Sequence, residues 1–247
     1  MSVSGRHAVV TGGGTGVGAA CAHYLAERGA RVTILGRTEE NLAAQSLPYQ
    51  VCDVTKIDDV ERAFGKAREL AGPIEIVIAN AGAAESVPFA KMKPDVLQAL
   101  LAVNLIGVSN VWQAALPDMK SSGGGRMIAI ASTAGLRGYP YVSAYCAAKH
   151  AVIGLTRALG KELAKTGITV NAICPSFVET PMLERSISKI VEKTGLSRQD
   201  AENTLKADNP QGRFIQTDEV AEMAYWLCTN GARSVNGQAL SLAGGEL

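Results

Sequence analysis

Two side chains that could transfer a proton lie four residues apart in the second half of the chain. Tyr145 and Lys149 fall in a stretch with a helical pattern, so they are expected to share one face of a helix. A tyrosine with a pKa near ~10 is a poor acid or base at neutral pH, but a neighbouring ammonium is expected to lower that pKa. Ser132 lies at the end of a predicted strand and could donate a hydrogen bond to a substrate carbonyl. These residues predict proton transfer to a carbonyl or from an alcohol.

A glycine-rich segment near the start of the chain predicts a phosphate-binding turn. Residues 11–18 have the sequence TGGGTGVG, directly after a predicted strand and at the start of a predicted helix. Glycines let the backbone approach a pyrophosphate, and a helix N-terminus offers free N–H groups and a positive dipole. Gly12, Gly16 and Gly18 are spaced one residue wider than in the GxGxxG pattern. The turn therefore predicts a dinucleotide cofactor.

The end of the second predicted strand bears on which dinucleotide is bound. An acidic residue at this place would bind the ribose hydroxyls and repel a 2′-phosphate, but the chain has Gly36 followed by Arg37. A guanidinium can bind the 2′-phosphate, so NADP(H) is favoured and NAD(H) stays possible. The alternative is that Arg37 is only a solvated residue at a strand end. Asp53 is predicted to accept from the adenine amino group, and Asn80 and Gly82 to line the adenosine ribose.

Short apolar runs alternate with helical patterns along the whole chain. Strands are predicted at His7–Thr11, Arg31–Leu35, Pro48–Val51, Glu75–Ala79, Arg126–Ser132, Thr169–Cys174 and Gln238–Leu242, and helices at Gly16–Arg28, Ile57–Leu70, Pro94–Met119, Ser143–Lys165 and Asp218–Thr229. This alternation predicts an α/β fold: a single domain over residues 1–247 with one doubly wound parallel sheet (a Rossmann fold) and helices on both faces. Between residues 181 and 210 two helical patterns occur with no strand, which predicts a short helical lid near the ligand-binding edge.

The composition excludes several classes of protein. With 24 basic and 23 acidic residues the net charge is +1, so no nucleic acid or anionic membrane is expected as a partner. The five cysteines are scattered and the three histidines have no ligand spacing, so no disulfide framework and no metal site are expected. No run of about 18 apolar residues occurs, and the first residues lack the apolar stretch of a signal peptide. A cytoplasmic location is expected.

Together these motifs resemble the short-chain dehydrogenase/reductase family over residues 7–247. The family's TGxxxGxG matches Thr11–Gly18, its SxxxxxxxxxxxxYxxxK matches Ser132–Lys149, and its active-site asparagine falls on Asn104. The resemblance implies an NAD(P)-dependent enzyme in which Tyr145 is the general acid or base and Ser132 polarises the carbonyl, both contacting the substrate. It also implies that Lys149 binds the nicotinamide ribose, and that Asn104 holds a water in a proton relay.

The resemblance also implies a set of cofactor-binding residues. Residues 175–180 resemble the loop that secures the nicotinamide carboxamide through the Val178 backbone and Thr180. The full set expected to bind the cofactor is Gly12, Thr15, Gly16, Val17, Gly18, Arg37, Asp53, Val54, Asn80, Ala81, Gly82, Tyr145, Lys149, Pro175, Val178 and Thr180.

Three positions depart from the family pattern. Ala79 replaces the first asparagine of NNAG, and Ser176 replaces the glycine after Pro175, so that turn must avoid a glycine-only conformation. Thr15 stands where many NADP-dependent relatives carry a basic residue, which weakens the preference for NADP(H) without reversing it.

The substrate is less constrained. The segment 167–182 most resembles ketoreductases that act on 3-oxoacyl thioesters, including those of polyketide assembly. The alternatives are a small-alcohol or 3-hydroxy-acid dehydrogenase and, from another class, a non-catalytic dinucleotide sensor. Arg137, Tyr139 and Tyr141 could edge the substrate pocket or be plain loop residues. The resemblance also implies a homotetramer, built through the Asn104-bearing helix, the Ser143–Lys165 helix and the C-terminal strand.

Overall fold

The computed structural model describes residues 2–247 and is built on one seven-stranded parallel sheet. Residue 1 of the predicted domain lies outside the described residues. The strands are β1 His7–Thr11, β2 Arg31–Gly36, β3 Tyr49–Val51, β4 Ile74–Ala79, β5 Gly125–Ile130, β6 Ile168–Pro175 and β7 Ala239–Leu242. Their order across the sheet is β3-β2-β1-β4-β5-β6-β7, and each neighbouring pair is parallel. The predicted doubly wound sheet is confirmed.

Helices connect the strands and cover both faces of the sheet. They are α1 Gly16–Glu27, α2 Glu39–Ala43, α3 Ile57–Ala71, α4 Pro94–Leu101, α5 Gly107–Ser121, α6 Ser143–Glu162, α7 Pro181–Thr194, α8 Arg198–Lys206 and α9 Thr217–Cys228. Because successive strand side chains point to opposite faces, β1 sends Val9 to one core and Ala8 and Val10 to the other. The first core lies under α3, α5 and α6, and the second under α1 and α9.

Two features of the helices differ from the sequence prediction. The stretch predicted as one helix from Pro94 to Met119 is interrupted by a π-helical turn at Ala102–Ile106, which separates α4 from α5. The five-residue helix α2 was not predicted, because so short an element shows no helical periodicity.

The continuous helical stretch Pro94–Ser121 is long and apolar enough, by length and composition, to cross a membrane, with a mean hydropathy of 1.5 over its most apolar window. However, 39% of that window is buried within the protein, and α5 packs against β4. We therefore interpret it as a sheet-covering helix with a partly uncovered apolar face.

The predicted lid consists of α7 and α8, which form a small apolar core of their own with Phe214. This segment leaves and rejoins the main fold at adjacent points. Val178 and Ile215 form a parallel bridge, in which Glu179 N donates to Ile215 O at 2.9 Å and Ile215 N donates to Phe177 O at 2.9 Å. The lid is thus a compact excursion whose two ends are held side by side.

Candidate active site

The functional candidates follow the carboxyl ends of six strands, with Arg37 after β2 and Asp53 after β3. The glycine turn follows β1, residues 80–82 follow β4, Ser132 follows β5 and residues 176–180 follow β6. In an open parallel sheet, ligands bind outside these ends, at the place where the strand order reverses. Here that place lies between β1 and β4.

The glycine turn has the backbone geometry that a dinucleotide requires. Gly12 and Gly16 have φ of +65° and +55°, a region that residues with a Cβ rarely adopt. A Cβ on Gly12 would also lie 2.8 Å from Asn80 Nδ2. Thr15 begins α1 without a side-chain cap, and the first turn of α1 has no acidic residue. The N–H groups of this helix start are therefore suited to a phosphate group, and the residues present fit the predicted cofactor.

A groove beside this turn gathers residues from β1, β2, β3 and β4. Seven of the predicted cofactor residues line it: Gly12, Thr15, Arg37, Asp53, Val54, Ala81 and Gly82. The lining also includes Thr38 and Asn41, which were not predicted. Asn41 lies on α2, whose backbone approaches the glycine turn closely. A Cβ built on Gly14 would lie 3.1 Å from the backbone of Asn41. The sequence signals that could have located this helix are Thr38 at the N-cap position and the acidic residues Glu39 and Glu40 in the first turn.

Two charged residues of the groove interact with each other. Asp53 accepts from the Thr55 N–H at 3.0 Å and the Thr55 hydroxyl at 2.8 Å. Burial alone would raise the pKa of Asp53, but these hydrogen bonds and the Arg37 charge together hold it below its ordinary value. Arg37 itself is exposed at the rim of the groove, so its guanidinium can reach an anionic group.

Asn80 lies behind the groove instead of in its lining. Its side-chain amide donates to Thr11 O at 3.0 Å and Gly12 O at 3.3 Å, while its own N–H donates to the Thr11 hydroxyl at 3.0 Å. These contacts join the end of β4 to the glycine turn. The side chain therefore shapes the turn, and its expected contact with the adenosine ribose stays a prediction.

Ser132 is positioned by a tight turn that packs against α6. It has an extended backbone and begins a 3-10 turn, where its hydroxyl accepts from Ala134 N at 3.1 Å. A Cβ on Gly135 would lie 2.7 Å from Ile153 and 2.8 Å from the Lys149 carbonyl, so only glycine allows this approach. The turn thus places Ser132 against the helix that carries Tyr145.

Tyr145 and Lys149 lie on one face of α6, as predicted. Lys149 is 5% exposed, and its Nζ donates to Ile130 O at 2.8 Å and lies 5.6 Å from the Tyr145 ring centroid. Burial lowers the pKa of Lys149 to about 8. Burial also raises the pKa of Tyr145 to about 12, although hydrogen bonding to Ser132 acts in the opposite direction. Desolvation of the phenolate is the largest effect on the pKa of Tyr145 in this structure, and the expected lowering by Lys149 stays a prediction.

Asn104 lies in the π-helical turn and is fully buried. Its Nδ2 donates to Ala83 O and Leu100 O, both at 2.9 Å, and its Oδ1 accepts from Ala83 N at 3.3 Å. The side chain therefore holds the loop that follows β4, directly beside Gly82. The predicted contact with a relay water stays a prediction.

The loop after β6 faces the glycine turn across the groove. Thr180 caps α7, accepting from Leu183 N at 3.4 Å, and its hydroxyl donates to Val178 O at 3.1 Å. A Cβ built on Gly16 would lie 3.2 Å from Thr180 Cγ2. The glycine turn and the loop after β6, both predicted to bind the cofactor, are therefore in close contact. Ser176 has no positive φ, so this turn avoids the glycine-only conformation as predicted.

The loop between Ser132 and Tyr145 is tied down more firmly than the sequence indicated. The Tyr139 hydroxyl bonds Thr133 Oγ1 at 2.7 Å and also contacts the Glu246 carboxylate. Tyr141 is 64% exposed, with φ of +66°. Tyr139 is thus a packing residue of this loop, whereas Tyr141 is free at its surface.

Comparisons with known proteins identify relatives of this chain. Residues 6–190 match the family model described as short chain dehydrogenase. The chain is 34% identical to a 3-oxoacyl-[acyl-carrier-protein] reductase of Thermotoga maritima, over 99% of each chain. It is 32% identical to a D-beta-hydroxybutyrate dehydrogenase of Cupriavidus necator, over 98% of each. A crystal structure of a variant of actinorhodin polyketide ketoreductase with NADPH superposes with a TM-score of 0.94, at 36% identity over 98% of this chain and 97% of that one.

Proposed function

The chain belongs to the short-chain dehydrogenase/reductase family of oxidoreductases, and we propose that within this family it is an NADPH-dependent ketoreductase acting on 3-oxoacyl thioesters. The observation that carries the proposal is the meeting of Ser132, Tyr145 and Lys149 beside a glycine-lined groove at the carboxyl ends of the strands. Reduction of a carbonyl needs a group that polarises its oxygen and a proton donor, and this set supplies both.

In the proposed reaction, Tyr145 is the proton donor. With its pKa raised to about 12, the phenol is protonated at neutral pH, which suits donation to the oxygen of a carbonyl as it becomes an alcohol. The Ser132 hydroxyl, on the adjoining turn, donates a hydrogen bond to the same oxygen.

Lys149 acts beside Tyr145 without touching the substrate. Its ammonium is held by the Ile130 carbonyl, so it is oriented toward the groove side of α6. There it would bind the nicotinamide ribose hydroxyls and, as the phenol gives up its proton, stabilise the phenolate charge. Asn104 fixes the loop that carries Gly82, which keeps the floor of the groove in place.

The cofactor would be held by the groove and by the loop after β6. When bound, NADPH supplies the hydride that reduces the carbonyl carbon. Arg37 is exposed at the rim, and position 36 holds a glycine with no carboxylate to repel a 2′-phosphate, so the guanidinium can pair with that phosphate. Thr38 and Asn41 supply neutral polar groups nearby. The structural relative solved with NADPH supports this preference.

The proposed substrate class follows the resemblance of residues 167–182 and the names of the relatives. A reductase of 3-oxoacyl thioesters and a D-beta-hydroxybutyrate dehydrogenase are both similar to nearly the whole chain. These two activities share a carbonyl or hydroxyl at carbon 3, but differ in whether a thioester or a free carboxylate follows it. A 3-hydroxy-acid dehydrogenase is therefore the second candidate function.

The test is steady-state turnover with acetoacetyl-CoA and NADPH, compared with oxidation of 3-hydroxybutyrate by NAD⁺ or NADP⁺. We expect kcat/KM to be highest for the thioester with NADPH, and Tyr145→Phe to abolish most of it. Oxidation of 3-hydroxybutyrate without reduction of the thioester would instead favour the second candidate, a 3-hydroxy-acid dehydrogenase. Binding of NADPH with no turnover of these substrates or of a simple cyclic ketone would contradict both and leave the sensor hypothesis.

We further propose that the chain acts as a single-domain subunit of a cytoplasmic homotetramer. Helix 94–121 is strongly apolar, yet only 39% of its apolar window is buried, and Ile106 at its π-helical turn is 48% exposed. Helix α6, which packs against α4, borders the same face. A second copy of the chain would cover this surface, and light scattering during size-exclusion chromatography would give the mass of the assembly.

A further inference from the structure

The last residues of the chain turn inward and bury a carboxylate. After β7, Gly244 and Gly245 have φ of +60° and +97° and reverse the chain against Asn209 and Pro210. The Glu246 side chain is only 1% exposed, whereas Leu247, the terminal residue, is 52% exposed. Burying a carboxylate is costly unless it is hydrogen-bonded. The buried Glu246 side chain therefore requires partners.

Those partners come from two different loops. Ser176 Oγ donates to Glu246 Oε2 at 2.6 Å, and the Tyr139 hydroxyl donates to Oε1. Arg137 Nη1 lies 3.5 Å from the same Oε1, and its Nη2 lies 3.4 Å from Asp208 at the end of the lid. Burial and the Glu246 carboxylate hold the pKa of Tyr139 above its ordinary value, so this hydroxyl stays a donor.

Each loop leads directly to a group of the proposed reaction. Tyr139 is joined to Thr133, the residue next to Ser132, by a hydrogen bond of 2.7 Å. Ser176 lies two residues before Val178, in the loop expected to hold the nicotinamide carboxamide. The serine at 176 stands where the family pattern has glycine, and its hydroxyl is what makes the bond to Glu246 possible.

We propose that Glu246 is a positioning residue for the reaction, because its carboxylate fixes the Ser132 loop relative to the nicotinamide loop. This inference rests on the proposed function. Glu246 does not contact the reacting atoms, but it contacts both segments that place them, from a site more than 60 residues along the chain from either. Catalysis is sensitive to such placement, since a small displacement of oriented groups lowers the rate strongly.

The experiment compares Glu246→Ala with the wild type and with Glu222→Ala, a control that removes an exposed carboxylate from α9. Hydrogen exchange is measured over residues 132–139 and 176–180, together with NADPH affinity by fluorescence and kcat and KM with acetoacetyl-CoA. We expect faster exchange in both segments, NADPH affinity weakened, and kcat/KM lowered by about tenfold or more, the effect of losing one charged hydrogen-bond acceptor. Glu222→Ala should match the wild type in every measurement.

Ser176→Ala provides a second, milder variant, in which one donor is lost and the fold is expected to be kept. It should change the same quantities in the same direction by a smaller factor, and it decides the matter if Glu246→Ala does not fold. Unchanged exchange in either segment would overturn the proposal. Values of kcat, KM and NADPH affinity that all stay within about twofold of the wild type would also overturn the proposal. Residues 243–247 would then be a packing element only.

If the wild type reduces no carbonyl, the proposed ketoreductase function fails by itself. The exchange and NADPH-affinity measurements then still decide whether Glu246 holds the two loops.

Discussion

Replacing Gly82 with alanine tests how tightly the loop after β4 is fixed. Gly82 has no positive φ, so alanine is compatible with its backbone and the effect is purely steric. The new Cβ would lie 2.7 Å from Asn104 Oδ1, which must move by several tenths of an ångström, and 3.7 Å from Lys149 Nζ, which need not move. Asn104 is held by Ala83 and Leu100, so its displacement strains hydrogen bonds that no solvent can replace.

The expected cost follows from that geometry. Overfilling a well-packed site costs about 1–3 kcal/mol, and each kcal/mol lowers the Tm of a domain of this size by about 2–4 °C. We therefore expect Gly82→Ala to lower the Tm by about 2–12 °C and to raise the KM for NADPH more than it lowers kcat, because Gly82 lines the groove and the Lys149 ammonium stays in place.

Calorimetry and steady-state kinetics measure both quantities on the same preparation. Gly65→Ala is the matched control, since a Cβ there meets nothing within 4 Å in the middle of α3. That variant should be as stable as the wild type or up to about 1 kcal/mol more stable. A Gly82→Ala protein with wild-type Tm and KM would refute the interpretation that Asn104 rigidly supports the groove.

Four further predictions concern the site. Tyr145→Phe should leave NADPH affinity nearly unchanged and lower kcat by about 10²–10⁴-fold, as measured by fluorescence titration and initial rates. Because burial lowers the pKa of Lys149 to about 8, its ammonium is present below that pH and lost above it, so kcat/KM for NADPH should fall as the pH rises through 8. Arg37 is exposed and solvent screens its charge, so the wild type should prefer NADPH over NADH by roughly tenfold in kcat/KM. Gly36→Asp combined with Arg37→Ser should reverse this ratio, and a preference of the wild type for NADH would contradict the prediction. Hydrogen exchange in 181–210 should slow when substrate and cofactor are added, and equal exchange in both states would refute a closing lid.

Most of the fold could be predicted because most of the strands are nearly continuous apolar runs. Tyr145 and Lys149 could be paired because helical spacing is a local property. Burial is not local, so the sequence alone could not show that desolvation is the largest effect on the pKa of Tyr145. The π-helical turn around Asn104 was missed for a similar reason, since the apolar pattern continues through it unchanged. Glu246 could not be found at all, because its partners are 70 and 107 residues away in sequence.

The bridge between Val178 and Ile215 has a consequence for how this protein could diversify. Because the chain enters and leaves the lid at two paired neighbours, helices α7 and α8 can change in length without moving a strand of the sheet, whereas Thr180 beside Gly16 and Asp208 beside Arg137 must be kept. A segment that replaces α7 and α8 must begin and end at the distance that separates two neighbouring strands. The expected consequence is that proteins of this architecture can differ in their lid helices while the sheet, and the residues at the carboxyl ends of its strands, stay in place.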